Sequence, residues 1–120
     1  MQKDSYYSPN FDKKKRSKSL IKIIVIHYTG MQSGRESLSR LCNPKSKVSS
    51  HFVISQNGRV YRLVQDNQIA WHAGKSCWGK YKNLNKNSIG IELVNKGHKF
   101  GYTNFKKKQL LSLIKICKSL

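Results

Sequence analysis

The sequence is poor in acidic residues. Five aspartates and glutamates stand against 24 lysines and arginines in 120 residues, giving a net charge of +19. This excess points to a polyanionic partner, either nucleic acid or an anionic cell-wall polymer. However, 19 of the basic residues are lysines and five are arginines, whereas arginine is preferred for bidentate phosphate and base contacts. Codon usage in an AT-rich genome also produces many lysines and asparagines, so charge alone does not select a function.

Long apolar runs are missing as well. No stretch of about 18 apolar residues exists, which excludes a predicted transmembrane helix, and residues 1–19 lack the apolar region of a secretory signal peptide. The three cysteines are widely spaced without a C-x-x-C pair, which argues against a disulfide framework and favours a reducing compartment. The default expectation is a cytoplasmic location, or the cell envelope if a leader has been lost.

The distribution of apolar residues predicts one domain of the α/β class. Residues 21–30 form the most apolar run, mostly β-branched, and predict a strand buried on both faces at the centre of a sheet. Further elements are predicted as strands over 48–54, 60–64 and 88–95 and helices over 35–41 and 105–120. The last helix would pack through Leu110, Leu113, Ile114 and Cys117. Residues 1–19 are predicted to be a basic flexible arm and residues 20–120 the folded domain.

Glu92 is one of only two glutamates and lies inside an apolar strand pattern. Ile89, Ile91 and Leu93 share one face of that strand, which leaves Glu92 on the other. A carboxylate in apolar surroundings is costly unless it is paired or used, and burial would raise its pKa toward the range of a general base. The alternatives are therefore a general base and a salt bridge to one of the many lysines.

Three histidines, His27, His51 and His72, lie on or at the end of predicted strands and could converge. His27 ends the most apolar strand, where it could be a metal ligand, an acid or base, or a core histidine bonded to the backbone. A catalytic zinc site usually needs three protein ligands, and no histidine pair has the short spacing of known zinc motifs. Spacing alone is weak support for zinc. The fourth histidine, His98, falls in a predicted loop.

Three aromatic residues lie between the predicted strands over residues 60–64 and 88–95. Trp71, Trp78 and Tyr81 would suit a wall on which a sugar or an apolar ligand stacks. Trp71 is alternatively a core residue. Trp78 and Tyr81 fall in a predicted loop over residues 75–87, which favours a binding role for them.

Four motifs in a fixed order identify a family. They are I-H-Y-T at residues 26–29, V-S-S-H-F-V-I at 48–54, A-W-H-A-G at 70–74 and, after Asn85, S-I-G-I-E-L at 88–93. In these motifs the chain resembles the type 2 N-acetylmuramoyl-L-alanine amidases, which are relatives of phage lysozyme-type amidases and of peptidoglycan recognition proteins. The resemblance extends from about Ser8 to the end of the chain.

The resemblance implies a central mixed β-sheet flanked by helices and a zinc-dependent hydrolase. The bond cut would be the amide between the lactyl group of N-acetylmuramic acid and L-alanine in peptidoglycan or a muropeptide. His27 matches the family's zinc-ligand histidine, and Glu92 matches the glutamate that helps to activate the zinc-bound water. The histidines of the other two motifs are not zinc ligands in the family, so His51 and His72 are expected to be structural or to line the groove. The expected substrate-binding residues are Trp71, His72 and Trp78.

The chain departs from the family pattern at its end. In the family, the second zinc histidine, a third ligand and a catalytic lysine follow the last long helix, and this chain ends in that helix. Residues 20–120 thus resemble the N-terminal part of an amidase domain, with one expected zinc ligand, and the chain alone is expected not to be catalytically competent. It would be an inactive fragment, a peptidoglycan-binding remnant, or half of a domain completed by a second polypeptide. Nucleic-acid binding is the more distant alternative.

Overall fold

The computed structural model describes residues 3–4, 6–97 and 104–120. His98 lies outside the described residues. The strands of the described part are β1 (Lys3–Asp4), β2 (Ile23–Tyr28), β3 (Phe52–Ile54), β4 (Val60–Arg62), β5 (Cys77–Trp78), β6 (Tyr81–Lys82) and β7 (Ser88–Leu93). The helices are α1 (Gly34–Cys42) and α2 (Lys107–Ser119), with short 3-10 helices at Lys18–Leu20, Pro44–Ser46 and Leu84–Asn87.

Five of these strands form one mixed sheet in the order β1-β4-β3-β7-β2. Strand β7 is parallel to both of its neighbours, β2 and β3, whereas β3 and β4 form an antiparallel hairpin. Strands β5 and β6 pair separately. The predicted mixed sheet flanked by helices is confirmed, and the hairpin turn follows from Asn57 and Gly58, the latter with φ +89°.

The core is divided by the sheet into two apolar layers. Side chains alternate along a strand, so Val53 packs with Leu38 and Leu41 of α1, while Phe52 and Ile54 pack with Ile116 of α2. Strand β7 follows the same alternation: Ile89, Ile91 and Leu93 lie in the α2 layer, and Val94 lies in the α1 layer. Glu92 therefore points to the α1 side of the sheet, as its sequence pattern predicts.

Strand β2 lies at the edge of the sheet in the described residues, and the prediction of a central strand buried on both faces is wrong for them. Its partner is β7 alone. Helix α2 covers β3 and β7 but leaves the facing side chains of β2 open, so Ile26 and Tyr28 are each about half exposed, at 50% and 51%. A run of β-branched residues predicts a strand, but it does not say how many neighbours that strand has.

Helix α2 packs through only part of the predicted face. Leu113 and Cys117 pack against the core as predicted, whereas Leu110 and Ile114 are exposed. The buried residues of the helix are Gln109 and Ile116. The amide of Gln109 explains the orientation, because Nε2 donates to the backbone oxygens of Ile54 (2.9 Å) and Val94 (3.0 Å). The oxygen of Ile54, at the end of β3, also accepts the N–H of Val94 at 3.0 Å, so Gln109 adds a second bond there and gives the oxygen of Val94, just after β7, a buried donor. Neither this helix nor any other in the described residues is long and apolar enough to cross a membrane.

The described part of the N-terminal segment is packed against the domain rather than free in solvent. Ser8 and Asn10 are buried, and Ser8 Oγ donates to the backbone oxygen of Leu41. Arg16 is buried too, and its guanidinium donates to the backbone oxygens of Asp66, Asn85 and Lys86. Polar side chains make these contacts, so the expectation of a flexible arm over residues 1–19 does not hold for residues 8–16. The division of the chain at residue 20 stays a prediction.

Candidate active site

The register between β2 and β7 brings His27 beside Glu92. The two residues are direct partners in a parallel pair, as are Val25 and Gly90. Partners in a parallel ladder point to the same side of the sheet, so both side chains lie on the α1 side. The sequence placed each residue on a strand, and the structure shows that the strands are adjacent.

Burial perturbs the carboxyl group of Glu92. Its Oε2 atom is inaccessible to solvent and has no hydrogen-bond partner among the described residues. Desolvation raises the pKa of Glu92 from its ordinary value of 4.5 to about 7. No ion pair involving Glu92 is found in the described part of the chain, so the alternative of a structural salt bridge gains no support there. A carboxyl group with this pKa can accept and return a proton near neutral pH.

His27 is held by a second histidine. Its Nε2 lies 3.1 Å from Nδ1 of His72, and the two rings meet edge to face with their centroids 5.3 Å apart. Burial lowers the pKa of His27, so the ring is neutral near neutral pH. A neutral imidazole is the form that binds metals.

His72 is fixed through both its backbone and its ring. The amide groups of His72 and Ala73 donate to Oδ1 of Asn85, at 3.2 and 2.8 Å. Ring atom Nε2 lies 2.9 Å from Oγ of Ser88. Burial is the largest cause that lowers the pKa of His72 to about 3, followed by electrostatic interaction with the neighbouring rings of His27 and His51. Asn85 and Ser88 belong to the motifs used above, but the sequence pattern gave neither a role.

Gly90 makes room for the His72 ring. A Cβ atom at position 90 would lie 2.4 Å from Cγ of His72, far inside normal contact distance. The glycine of the I-G-I-E motif thus follows from close approach and not from an unusual backbone angle. No sequence signal in this chain reveals that contact.

His51 has a structural role in the core. It is fully buried, and its Nδ1 accepts the N–H of Gly90 at 3.1 Å. Nε2 must therefore carry the proton, which it donates to the backbone oxygen of Gln68 at 2.9 Å. Desolvation is the largest cause that lowers the pKa of His51 to about 4. Both ring nitrogens are used within the protein, in agreement with the structural role expected for this histidine.

A cavity of about 170 Å³ opens beside the carboxyl group of Glu92. Its lining consists of Thr29, Met31, Ser37, Arg40, Leu41, Val48, Ser49, Trp71, His72 and Glu92. Trp71 is anchored there, since its Nε1 donates to Oδ1 of Asp12 at 2.7 Å. Trp78 is not among the lining residues and is 72% exposed on β5. The structure therefore brings together four of the five predicted site residues, with Trp78 apart from them.

The donor atoms fit one ligand of a zinc ion but not a complete centre. His27 is neutral and partly accessible, as a ligand must be. However, no group of three or more His, Cys, Asp or Glu residues that could hold a metal is found in residues 6–97 and 104–120. A catalytic zinc needs three protein ligands, so the further ligands would have to come from outside the described residues.

Comparison with known proteins identifies the family. Residues 16–120 match the family Amidase_2, N-acetylmuramoyl-L-alanine amidase. The N-acetylmuramoyl-L-alanine amidase AmiD of Escherichia coli K12 is 37% identical over 83% of this chain and 40% of its own length. The 1,6-anhydro-N-acetylmuramyl-L-alanine amidase AmpD of Haemophilus influenzae is 32% identical over 72% of this chain and 55% of its own.

A solved structure gives the same result at the level of the fold. The complex of E. coli AmiD with the substrate anhydro-N-acetylmuramic acid-L-Ala-D-gamma-Glu-L-Lys matches with a TM-score of 0.75 and 32% identity, over 90% of this chain and 45% of that chain. AmpDh3 from Pseudomonas aeruginosa has a TM-score of 0.76 at 26% identity and covers 99% of this chain.

This chain belongs to the N-acetylmuramoyl-L-alanine amidase family, whose members are generally zinc-dependent. The family assignment made from the four motifs is thereby confirmed. The chain spans 40% and 55% of the length of the two curated relatives described above.

Proposed function

We propose that the chain provides the His27–Glu92 half of an amidase centre that acts on the muramoyl-L-alanine amide of peptidoglycan or its fragments. The observation that carries the proposal is the direct pairing of these two residues in the sheet beside the cavity. The pKa of about 7 at Glu92 adds the acid–base capacity that amide hydrolysis needs.

In this proposal Glu92 moves the proton. Its carboxylate takes a proton from the water that attacks the amide carbonyl, and the resulting acid returns a proton to the departing amine of L-alanine. Trp71 and His72 line the cavity and would contact the substrate there, while the exposed Trp78 on the hairpin of β5 and β6 offers a ring on which a sugar can stack. When bound, a zinc ion would lower the pKa of the water and polarise the carbonyl, with His27 as its ligand from this chain.

We propose that further polypeptide, such as a second chain, completes the domain for hydrolysis. The single ligand found in the described residues is one reason, since one histidine holds zinc weakly. The exposed apolar side chains of β2 and α2 are another: Ile26, Tyr28, Leu110 and Ile114 are each 39–51% exposed on the α2 side or on the helix itself. Exposed apolar side chains on both elements favour coverage by another segment.

A chimera tests whether this half is functional. The chain would replace the matching segment of E. coli AmiD, and release of stem peptide from an anhydromuramyl peptide would be measured. We expect hydrolysis by the chimera, and its loss in Glu92→Gln and in His27→Ala, each with zinc content recorded. A folded, zinc-loaded chimera without activity would contradict the proposal. The unmodified chain is expected to release little peptide and to hold less than one zinc per molecule.

The incomplete set of zinc ligands also favours a second candidate function, namely binding to peptidoglycan without hydrolysis. In that case the chain would sediment with purified cell wall, and Glu92→Ala would bind equally well. Nucleic-acid binding is distinguished by the same assay, because binding through the +19 charge would extend to any polyanion and weaken strongly with moderate salt.

A further inference from the structure

A chain of hydrogen bonds connects the short helix Leu84–Asn87 to His27. Oγ of Ser88 lies 2.5 Å from the backbone oxygen of Leu84, and Nε2 of His72 lies 2.9 Å from the same Oγ. Nδ1 of His72 then lies 3.1 Å from Nε2 of His27. Ser88 has no exposed surface, so each hydrogen bond in this series is formed between two protein groups.

The backbone oxygen at one end decides the direction of every bond. A carbonyl can only accept, so the hydroxyl of Ser88 donates to Leu84 and must accept from His72. In a neutral imidazole one ring nitrogen carries the proton and the other is bare, so a His72 ring that donates from Nε2 has a bare Nδ1. That nitrogen can only accept, so Nε2 of His27 donates to it. His27 is therefore left with a lone pair on Nδ1.

We propose that Ser88 and His72 fix His27 in the tautomer that carries its proton on Nε2 and leaves Nδ1 unprotonated. His72 is then a positioning residue, and Nδ1 is the nitrogen of His27 that it leaves available to bind a metal ion. The link to a metal rests on the proposed function, whereas the tautomer does not.

The surroundings of His72 hold its ring in place for this role. Its backbone is bound to Asn85, and the absence of a side chain at Gly90 leaves a slot in which the ring sits. Both ring nitrogens are used within the protein. His72 can therefore offer only its carbon edge to a molecule in the cavity, which narrows the substrate-binding role expected from the sequence.

Nitrogen NMR of the histidine rings tests the proposal directly. The protein would be labelled with ¹⁵N-histidine, and a long-range ¹H–¹⁵N correlation spectrum recorded near neutral pH would distinguish protonated from unprotonated ring nitrogens. We expect His27 and His72 each to show a protonated Nε2 and an unprotonated Nδ1, without added metal or substrate. A wild-type chain in which His27 carries its proton on Nδ1 would overturn the proposal.

Three variants and one control variant test whether Ser88 and His72 are the cause of the His27 tautomer. Ser88→Ala removes the acceptor, and His72→Leu removes the ring, so each should abolish the single-tautomer pattern of His27. His72→Asn keeps an acceptor oxygen near the position of Nδ1 and should restore it. Ser112→Ala loses a comparable bond, from Oγ to the backbone oxygen of Gly58, far along the chain from this site, and should change nothing.

An unchanged His27 pattern in folded Ser88→Ala and His72→Leu would show that the tautomer has another origin and would also overturn the proposal. If either variant fails to fold, as judged from its amide spectrum, the wild-type tautomer and His72→Asn still decide. Because no substrate is used, failure of this inference is distinguishable from failure of the chimera to hydrolyse muropeptides.

Discussion

Substitution of Gly90 by alanine should displace His72 and destabilise the chain. The new Cβ would lie 2.4 Å from Cγ and 2.6 Å from Cδ2 of His72. Normal carbon contacts are about 3.5–4.0 Å, so the ring would have to shift by about 1 Å and would lose its bonds to Ser88 and His27. Overpacking of this kind costs about 1–3 kcal/mol, which corresponds to a fall in Tm of roughly 4–12 °C for a chain of this size.

Gly34→Ala is the matched control. A Cβ there meets its nearest atoms, in Ser55 and Val94, at 3.9 Å, and Gly34 lies in the first turn of α1. We expect it to be neutral or slightly stabilising, since alanine favours helix over glycine. Thermal unfolding by circular dichroism would measure both variants, with the histidine ring spectrum as a local reporter. A Gly90→Ala chain as stable as wild type, with an unchanged His27 tautomer, would refute the steric argument.

Three further predictions concern charge, the N-terminal segment and the aromatic residues. Because the pKa of Glu92 in the folded state is raised to about 7, the folded state binds more protons than the unfolded state from about pH 4.5 to 7, so the free energy of unfolding should fall as pH rises through that window. Urea titrations should show that wild type loses up to about 3 kcal/mol relative to Glu92→Gln across the window. A difference between the two chains that does not change with pH would contradict this prediction. Arg16→Ala leaves three backbone oxygens without their donor and should lower the free energy of unfolding by about 2–4 kcal/mol, whereas exposed Lys13→Ala should leave urea unfolding unchanged. Trp78→Ala should weaken muropeptide binding, measured by calorimetry, by about 2–10-fold with no change in Tm. Trp71→Ala should lower both the affinity and the Tm, because Trp71 is hydrogen-bonded to Asp12. Equal Tm values for the two variants would argue against this difference.

The local chemistry of the chain was predictable from residues close together in the sequence. The alternation around Glu92 placed its carboxyl group opposite Ile89 and Ile91, and the structure agrees. The strand ending in His27 and the hairpin at Gly58 were likewise predicted from short patterns. These features depend on the period of two along a strand and on turn residues, which act over a few positions.

Partners distant in the sequence were not predictable in this way. The bond between His27 and His72 joins residues 45 positions apart, and the bond from Arg16 to Lys86 spans 70. The edge position of β2 depends on which strands pair with it, and the orientation of α2 depends on the two backbone oxygens to which Gln109 donates. Periodicity in the sequence predicts which face of a strand or helix a side chain lies on, but it does not predict which other element packs against that face.

By itself the sequence determined that this is an α/β chain of the amidase family, with a histidine at the end of one strand and a carboxyl group inside another, because those properties reside in local patterns and ordered motifs. Only the tertiary structure decided that His27 and Glu92 are adjacent, that burial raises the pKa of Glu92, and that His72 lies in the space left by Gly90. The physical reason is that strand pairing, desolvation and close packing arise between segments that the chain separates by tens of residues.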